Sequence, residues 1–183
     1  MIRYPLGILD KKKNIQYKNR GMSLESMLNL TNEFYLKNNI AVIYKKPTPI
    51  KVVKTDKDNP NKILLAYFSK HSTTDYNGIY NGLYIDFEAK STSSKTSLPL
   101  KNFQNCQLEH FERIIKQKAI PFVIIEFTKL NKYYLLLAKE LLKFIKNQKR
   151  ASLPLTYIEK NGKEIHQKIE PKLDYLETLK AFL

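Results

Sequence analysis

Residues 83–90 read Leu83-Tyr84-Ile85-Asp86-Phe87-Glu88-Ala89-Lys90. Apolar and polar side chains alternate without a break, which is the period of a β-strand with one face on a core. Leu83, Ile85, Phe87 and Ala89 are expected to point into that core. Tyr84, Asp86, Glu88 and Lys90 are expected to share the other face, with Glu88 and Lys90 about 7 Å apart at their Cα atoms. Upstream stands Ser72-Thr73-Thr74-Asp75-Tyr76-Asn77-Gly78. Asn77-Gly78 and Asn81-Gly82 both read as turns, so Asp75 is expected to close a preceding strand. Pairing of the two strands brings Asp75 to Glu88.

Two carboxylates aimed at one spot repel each other unless a cation lies between them. Mg²⁺ suits such a site because it takes hard oxygen ligands, keeps several waters and pairs with phosphate oxygens. A lysine beside it stabilises charge developing on a phosphoryl group in flight. An acid, a gap, then Glu-x-Lys on a strand is therefore what phosphodiester hydrolysis needs. The same spacing also occurs on exposed strands as a Glu–Lys surface pair, worth under about 1 kcal/mol.

Ser23 is an N-cap for a helix to about Lys37, with Leu24, Met27, Leu28, Thr31 and Tyr35 on one face. Asn38-Asn39 ends it, and Ile40 to Tyr44 reads as a buried strand. Lys45-Lys46-Pro47-Thr48-Pro49 breaks that strand. Ile50–Lys54 and Ile63–Phe68 then flank a polar turn, an extended hairpin of about 45–68 projecting from the body. Downstream the pattern gives a helix from Phe103 to Lys118, strands at Pro121–Phe127 and Tyr133–Leu137, and a helix from Ala138 to Lys149. A hairpin around Asn161-Gly162 (Tyr157–Ile169) and a helix from Leu173 to Phe182 close the chain. This order predicts one α/β domain with a mixed sheet.

The 183 residues suit a single core. Lys+Arg 32 against Asp+Glu 17 gives a net charge of +15. Such an excess repels itself in a compact state, so a polyanionic partner is the natural explanation, with nucleic acid ahead of an anionic membrane. Biased composition or a structural RNA-binding role are the rival sources of that charge. The first twenty residues carry Arg3, Lys11, Lys12, Lys13, Lys18 and Arg20 against Asp10 alone. They read as a flexible basic arm that either tracks phosphates or merely solubilises. Lys45, Lys46, Lys51, Lys54, Lys57 and Lys62 supply phosphate contacts along the hairpin or block edge pairing. His71 stands where it can touch a phosphate. No apolar run approaches the roughly 20 residues of a membrane span. No secretory signal is visible, so a cytoplasmic, nucleoid-associated protein is expected. The single cysteine, Cys106, excludes an internal disulfide and a cysteine-based zinc site, and reads as a small core residue.

Several longer segments carry a resemblance. Arg20-Gly21-Met22-Ser23-Leu24-Glu25, Ala41-Val42-Ile43-Tyr44-Lys45-Lys46-Pro47-Thr48-Pro49, Ser72 to Gly78 and Ile85 to Lys90 resemble the RecU family of Holliday junction resolvases. Leu98-Pro99-Leu100-Lys101-Asn102-Phe103 and Gln107-Leu108-Glu109-His110 continue the likeness, which thins beyond Phe127. It implies a restriction-endonuclease-like α/β fold, a mixed β-sheet flanked by helices with a projecting stalk. The division would be a basic arm at 1–20 and one nuclease domain at 21–183. It also implies a homodimer making paired symmetric nicks in four-way DNA junctions during recombination and repair, with Mg²⁺ as cofactor and Mn²⁺ as a substitute. A recombinase or branch-migration helicase would be a protein partner. Carried over position by position, Thr73, Asp75, Glu88 and Gln107 would hold the metal, and Lys90 would stabilise the transition state. Asp86 reads as a structural hydrogen-bonding residue and His110 as a packed or surface one. Glu25 either approaches the site or stabilises its helix N-terminus. The rival functions are a sequence-specific restriction-type endonuclease and a non-catalytic basic nucleic-acid-binding protein.

Overall fold

The computed structural model describes residues 22–68 and 73–183. The expected arm, with Arg3, Lys11, Lys12, Lys13 and Arg20, lies outside these residues, as does His71. Helix α1 spans Leu24–Lys37, and Ser23 caps it by accepting the Ser26 N–H. Its buried side chains include Leu24, Met27, Leu28, Thr31 and Tyr35, the face expected from the spacing. The chain then runs through β1 (Val42–Lys45), β2 (Ile50–Thr55), β3 (Ile63–Phe68), β4 (Tyr76–Tyr80), β5 (Leu83–Thr92) and β6 (Ser97–Pro99). A 3₁₀ turn at Leu100–Asn102 leads into α2 (Asn105–Lys116), β7 (Ile120–Phe127), β8 (Lys132–Leu137) and α3 (Ala138–Asn147). Last come β9 (Ser152–Pro154), α4 (Leu155–Asn161), β10 (Lys163–Ile165) and α5 (Tyr175–Lys180).

Six strands form one mixed sheet in the order β1-β4-β5-β7-β8-β10. Only β5 and β7 run parallel, with Phe87 beside Phe122 and Glu88 beside Val123. The fold is α/β, with helices on both faces of the sheet. Ile85, Phe87, Phe122 and Ile124 pack against α1 and against Leu176 and Leu179 of α5. On the other face Val123, Ile125 and Leu136 meet Phe111 of α2, Leu141 and Phe144 of α3 and Ile158 of α4. Tyr76, Phe87 and Phe122 stack in series with ring centroids 4.8 Å apart, a rigid backing behind β4, β5 and β7.

Among the described residues, strands β2 and β3 pair only with each other. All their residues but Ala66 are exposed, including Ile50, Val52, Val53, Leu64, Tyr67 and Phe68. The hairpin read from the sequence is thus present, and its surface is apolar as well as basic.

Four local expectations change. Strand β1 is an edge strand with only Ile43 buried, rather than the buried strand its apolar run suggested. Asn77-Gly78 lies inside β4, so Asp75 precedes that strand instead of closing an earlier one. Gly78 is needed there because β1 passes so close: a Cβ would sit 2.1 Å from the Val42 carbonyl oxygen. The turn falls at Asn81-Gly82, both in the left-handed region. The segment 155–161 is helix α4, not the first arm of a hairpin, and only Lys163–Ile165 joins the sheet. The last helix is shorter than its apolar spacing suggested and begins at Tyr175, where Asp174 caps it by accepting the Glu177 N–H.

Candidate active site

Gln107 and His110 of α2 meet Glu88 and Asp86 on the polar face of β5, and these two acids are held out of bulk water. Glu88 is 2% exposed and Asp86 fully buried. Burial disfavours the charged carboxylate, and the negative charge of Asp75 adds to that. Together they push the Glu88 carboxyl from its ordinary 4.5 up to about 7, against hydrogen bonds from Lys90 and Gln107 that pull the other way. Lys90 Nζ donates to Glu88 Oε1 at 2.5 Å, and Gln107 Nε2 donates to the same oxygen at 2.7 Å. The Lys90 ammonium also stands 5.7 Å from the centre of the Phe103 ring. Glu88 Oε2 is buried with no hydrogen-bond partner.

Asp75 comes to this spot through strand pairing. Tyr76 stands opposite Phe87 in the antiparallel β4–β5 ladder, which brings Asp75 level with Glu88. Asp75 Oδ2 accepts the Ala89 N–H at 2.9 Å, and its carbonyl accepts the Lys46 N–H at 2.7 Å. Thr73 is exposed, and its Oγ1 accepts from Lys46 Nζ at 3.3 Å. Gln107 reaches Glu88 through its amide nitrogen, while its Oε1 accepts the Gln104 N–H at 3.0 Å as part of a helix capping box. Glu25, in the first turn of α1, pairs with Lys45 and lines one cleft with Ser23, Asp75 and Ser91. Cys106 is partly buried at the α2 N-terminus rather than in the core.

Asp86 is the structural hydrogen-bonding residue expected from the sequence, but its partners were not disclosed there. Its Oδ1 accepts from Thr74 Oγ1 at 2.5 Å. Its Oδ2 lies 2.7 Å from Lys46 Nζ, 3.0 Å from Tyr84 OH and 3.3 Å from His110 Nε2. Lys46 also donates to Thr74 Oγ1. Its ammonium is thus turned inward, unlike the other lysines expected on the hairpin. Lys51, Lys54 and Lys57 are exposed, and Lys62 pairs loosely with Asp56 at 3.4 Å. The signal available in the sequence was period two: Tyr84 and Asp86 share the face of Glu88.

The donor set fits a hard divalent cation. An ionised carboxylate oxygen that is buried without a donor is costly unless a cation or proton meets it. Glu88 Oε2 is such an atom, and Asp75 lies beside it. No group of three or more His, Cys, Asp and Glu side chains gathers as a metal cage among the described residues. Mg²⁺ needs no such cage, since it commonly takes one or two carboxylates and leaves other positions to water and phosphate.

Two acids and an ammonium gathered at the β4–β5 pair of a mixed α/β sheet, with one buried acid oxygen free of donors, suit a divalent-metal phosphodiesterase. The comparisons narrow the class. The model of the family described as Recombination protein U (RecU) matches residues 19–181. The chain belongs to the RecU family. A protein of Streptococcus agalactiae named Holliday junction resolvase RecU is 45% identical over 193 aligned residues, 100% of this chain and 97% of the relative. One of the same name from Streptococcus uberis is 49% identical over 178, covering 96% and 88%. A solved Holliday junction resolvase of Archaeoglobus fulgidus shares 9% identity at a TM-score of 0.43, over 75% of this chain and 94% of that one.

Proposed function

We propose that this chain is a structure-selective endonuclease that cuts four-way DNA junctions by divalent-metal-dependent phosphodiester hydrolysis, making paired symmetric nicks as a homodimer in recombination and repair. The observation that carries the reading is Glu88: a buried carboxylate with one oxygen unpartnered, next to Asp75 and bonded to Lys90. Family membership supports the same reading. Asp75 and Glu88 would hold the ion, with Thr73 offering an oxygen and Gln107 steadying Glu88. Mg²⁺ is the expected ion and Mn²⁺ the expected substitute. When bound, such an ion neutralises charge on the phosphate and eases ionisation of a nearby water. Gln107 and Lys90 hold the Glu88 carboxylate in one orientation. Lys90, fixed between Glu88 and Phe103, keeps its ammonium where charge develops on the phosphoryl oxygens. The products are 5′-phosphate and 3′-hydroxyl ends.

The domain is the compact unit 21–183, with a basic arm at 1–20 and a stalk at about 45–68. Arm residues Arg3, Lys11, Lys12, Lys13 and Arg20, stalk residues Lys45, Lys51, Lys54, Lys57 and Lys62, and His71 are the proposed phosphate contacts. The working compartment is the cytoplasm, on the nucleoid, where a recombinase or branch-migration helicase is the expected partner. No helix among the described residues is long and apolar enough to cross a membrane.

The test is a synthetic four-way junction incubated with and without Mg²⁺, with cuts mapped on all four strands. Symmetric Mg²⁺-dependent nicks on two opposing strands are expected. Glu88→Ala or Lys90→Ala abolishes them while metal-free junction binding persists. Cutting of unbranched duplex at one defined sequence would point to a restriction-type enzyme instead. Unchanged biological function in Asp75→Asn would leave only a nucleic-acid binder.

A further inference from the structure

We propose that Lys46 and Asp86 are a positioning pair that sets the metal site, and that Lys46 is therefore not one of the lysines that bind DNA phosphates. The inference rests on the nuclease reading above.

Asp86 has the right strand face to be a metal ligand, two residues from Glu88. Its oxygens are already used. Oδ1 takes the Thr74 hydroxyl, and Oδ2 is shared by Lys46, Tyr84 and His110. Glu88 is the opposite case, with one oxygen unpartnered. Two buried acids on one strand face thus have separate tasks: Asp86 is saturated by protein donors, and Glu88 is left to be completed.

The donors to Asp86 come from the segments that carry the site. Thr74 directly precedes Asp75. Lys46 grips that segment at three points: its ammonium on Thr73 Oγ1 and Thr74 Oγ1, and its backbone N–H on the Asp75 carbonyl. His110 lies one turn beyond Gln107 on α2, so its contact with Asp86 and the Gln107 contact with Glu88 fix the same helix against β5. The partly buried Lys46–Asp86 pair, with His110, therefore ties the Asp75 segment, the catalytic strand and the Gln107 helix together. Lys46 lies just past the end of β1 and is followed by Pro47. Its neighbour Lys45 faces the other way and pairs with exposed Glu25. Partners that hold metal ligands in place typically matter 10–100-fold for metal affinity when removed.

The variants are Lys46→Met, Lys46→Arg, Asp86→Asn and the double variant Lys46→Met with Asp86→Asn, each checked for folding by thermal unfolding. The double variant leaves no unpaired buried charge, so it keeps the test alive if Lys46→Met alone does not fold. Three readouts apply: Mn²⁺ binding to the DNA-free protein by electron paramagnetic resonance, the Mg²⁺ concentration for half-maximal junction cutting, and metal-free junction binding across a salt series. The expected result is a loss of Mn²⁺ affinity of about 10–100-fold in Lys46→Met and Asp86→Asn. A matching rise in Mg²⁺ requirement should accompany it, with partial recovery in Lys46→Arg. The double variant should be no worse than Lys46→Met, because the two act as one unit. Junction affinity and its salt slope should not change. A salt slope lowered by about one in Lys46→Met, with Mn²⁺ affinity intact, would make Lys46 a phosphate contact and overturn the proposal. Unaltered Mn²⁺ affinity in a folded Asp86→Asn or double variant would overturn it too. Failure of the unsubstituted protein to cut junctions with Mg²⁺ would instead sink the nuclease reading.

Discussion

Glu88 carries a pH signature that separates its two states. In the unfolded chain its carboxyl ionises near 4.5, whereas in the fold it is pushed up to about 7, first by burial and then by Asp75. Below 4.5 both states hold the proton, so the raised value contributes its full stability there. Between 4.5 and about 7 the unfolded chain releases the proton first, and that stability is lost as pH rises. The metal-free protein should therefore melt at a lower temperature at pH 8 than at pH 5, in part through this residue. A divalent ion needs the ionised form, so added Mg²⁺ should raise the melting temperature more at pH 8 than at pH 5.5. Glu88→Gln should flatten both dependences in differential scanning calorimetry. A variant that kept the Mg²⁺ response would remove Glu88 from the site. At this scale Asp75, Glu88 and Lys90 were legible because alternation alone puts Glu88 and Lys90 on one face. The partners of Asp86 were not, because its key cation comes from Lys46, forty residues earlier and just past β1, a strand that does not pair with β5.

At the scale of elements, the same dipeptide type serves two ends. Asn81-Gly82 makes the turn expected of it, with Gly82 at φ 76° and open space around its Cβ position. Asn77-Gly78 looked identical and is strand, because what fixes Gly78 is the neighbouring chain of β1. No local pattern encodes that approach. Gly78→Ala places a methyl group against the Val42 carbonyl oxygen and the Ile43 backbone, and should destabilise by about 1–3 kcal/mol through forced separation of β1 from β4. Gly82→Ala meets no atoms and should cost about 1–2 kcal/mol from backbone conformation alone. Urea unfolding separates the two further: the first should also impair cutting, because β1 delivers Lys46 to Asp75, while the second should leave cutting intact. The helices α1 and α2 were legible from their apolar spacing. Helix α4 was not, since Tyr157 to Asn161 carries too few turns for its 3.6-residue period to stand out beside the Asn161-Gly162 turn signal.

For the whole molecule, charge and shape make separable contributions to junction binding. The net +15 acts over the entire surface and supplies affinity for any DNA, with a strong salt dependence. Shape selection must come from a feature that duplex DNA cannot satisfy, and the β2–β3 hairpin is the candidate. None of its residues belongs to either buried cluster, and Phe68 at its base is 82% exposed. An apolar ribbon in water is costly unless something covers it, and an open junction centre offers unstacked base faces. Replacing residues 51–66 by a short Gly/Ser link should therefore leave the melting temperature nearly unchanged. It also removes three lysines, Lys51, Lys54 and Lys57, besides Lys62 at the turn, so duplex affinity should fall modestly and the salt slope by a few units at most. The preference for four-way junction over duplex of equal length should fall much further than that charge loss accounts for. Gel-shift titrations of both substrates across a salt series read the two effects apart. If the preference survives the deletion, the selecting surface lies on the sheet domain, and the hairpin contributes charge alone.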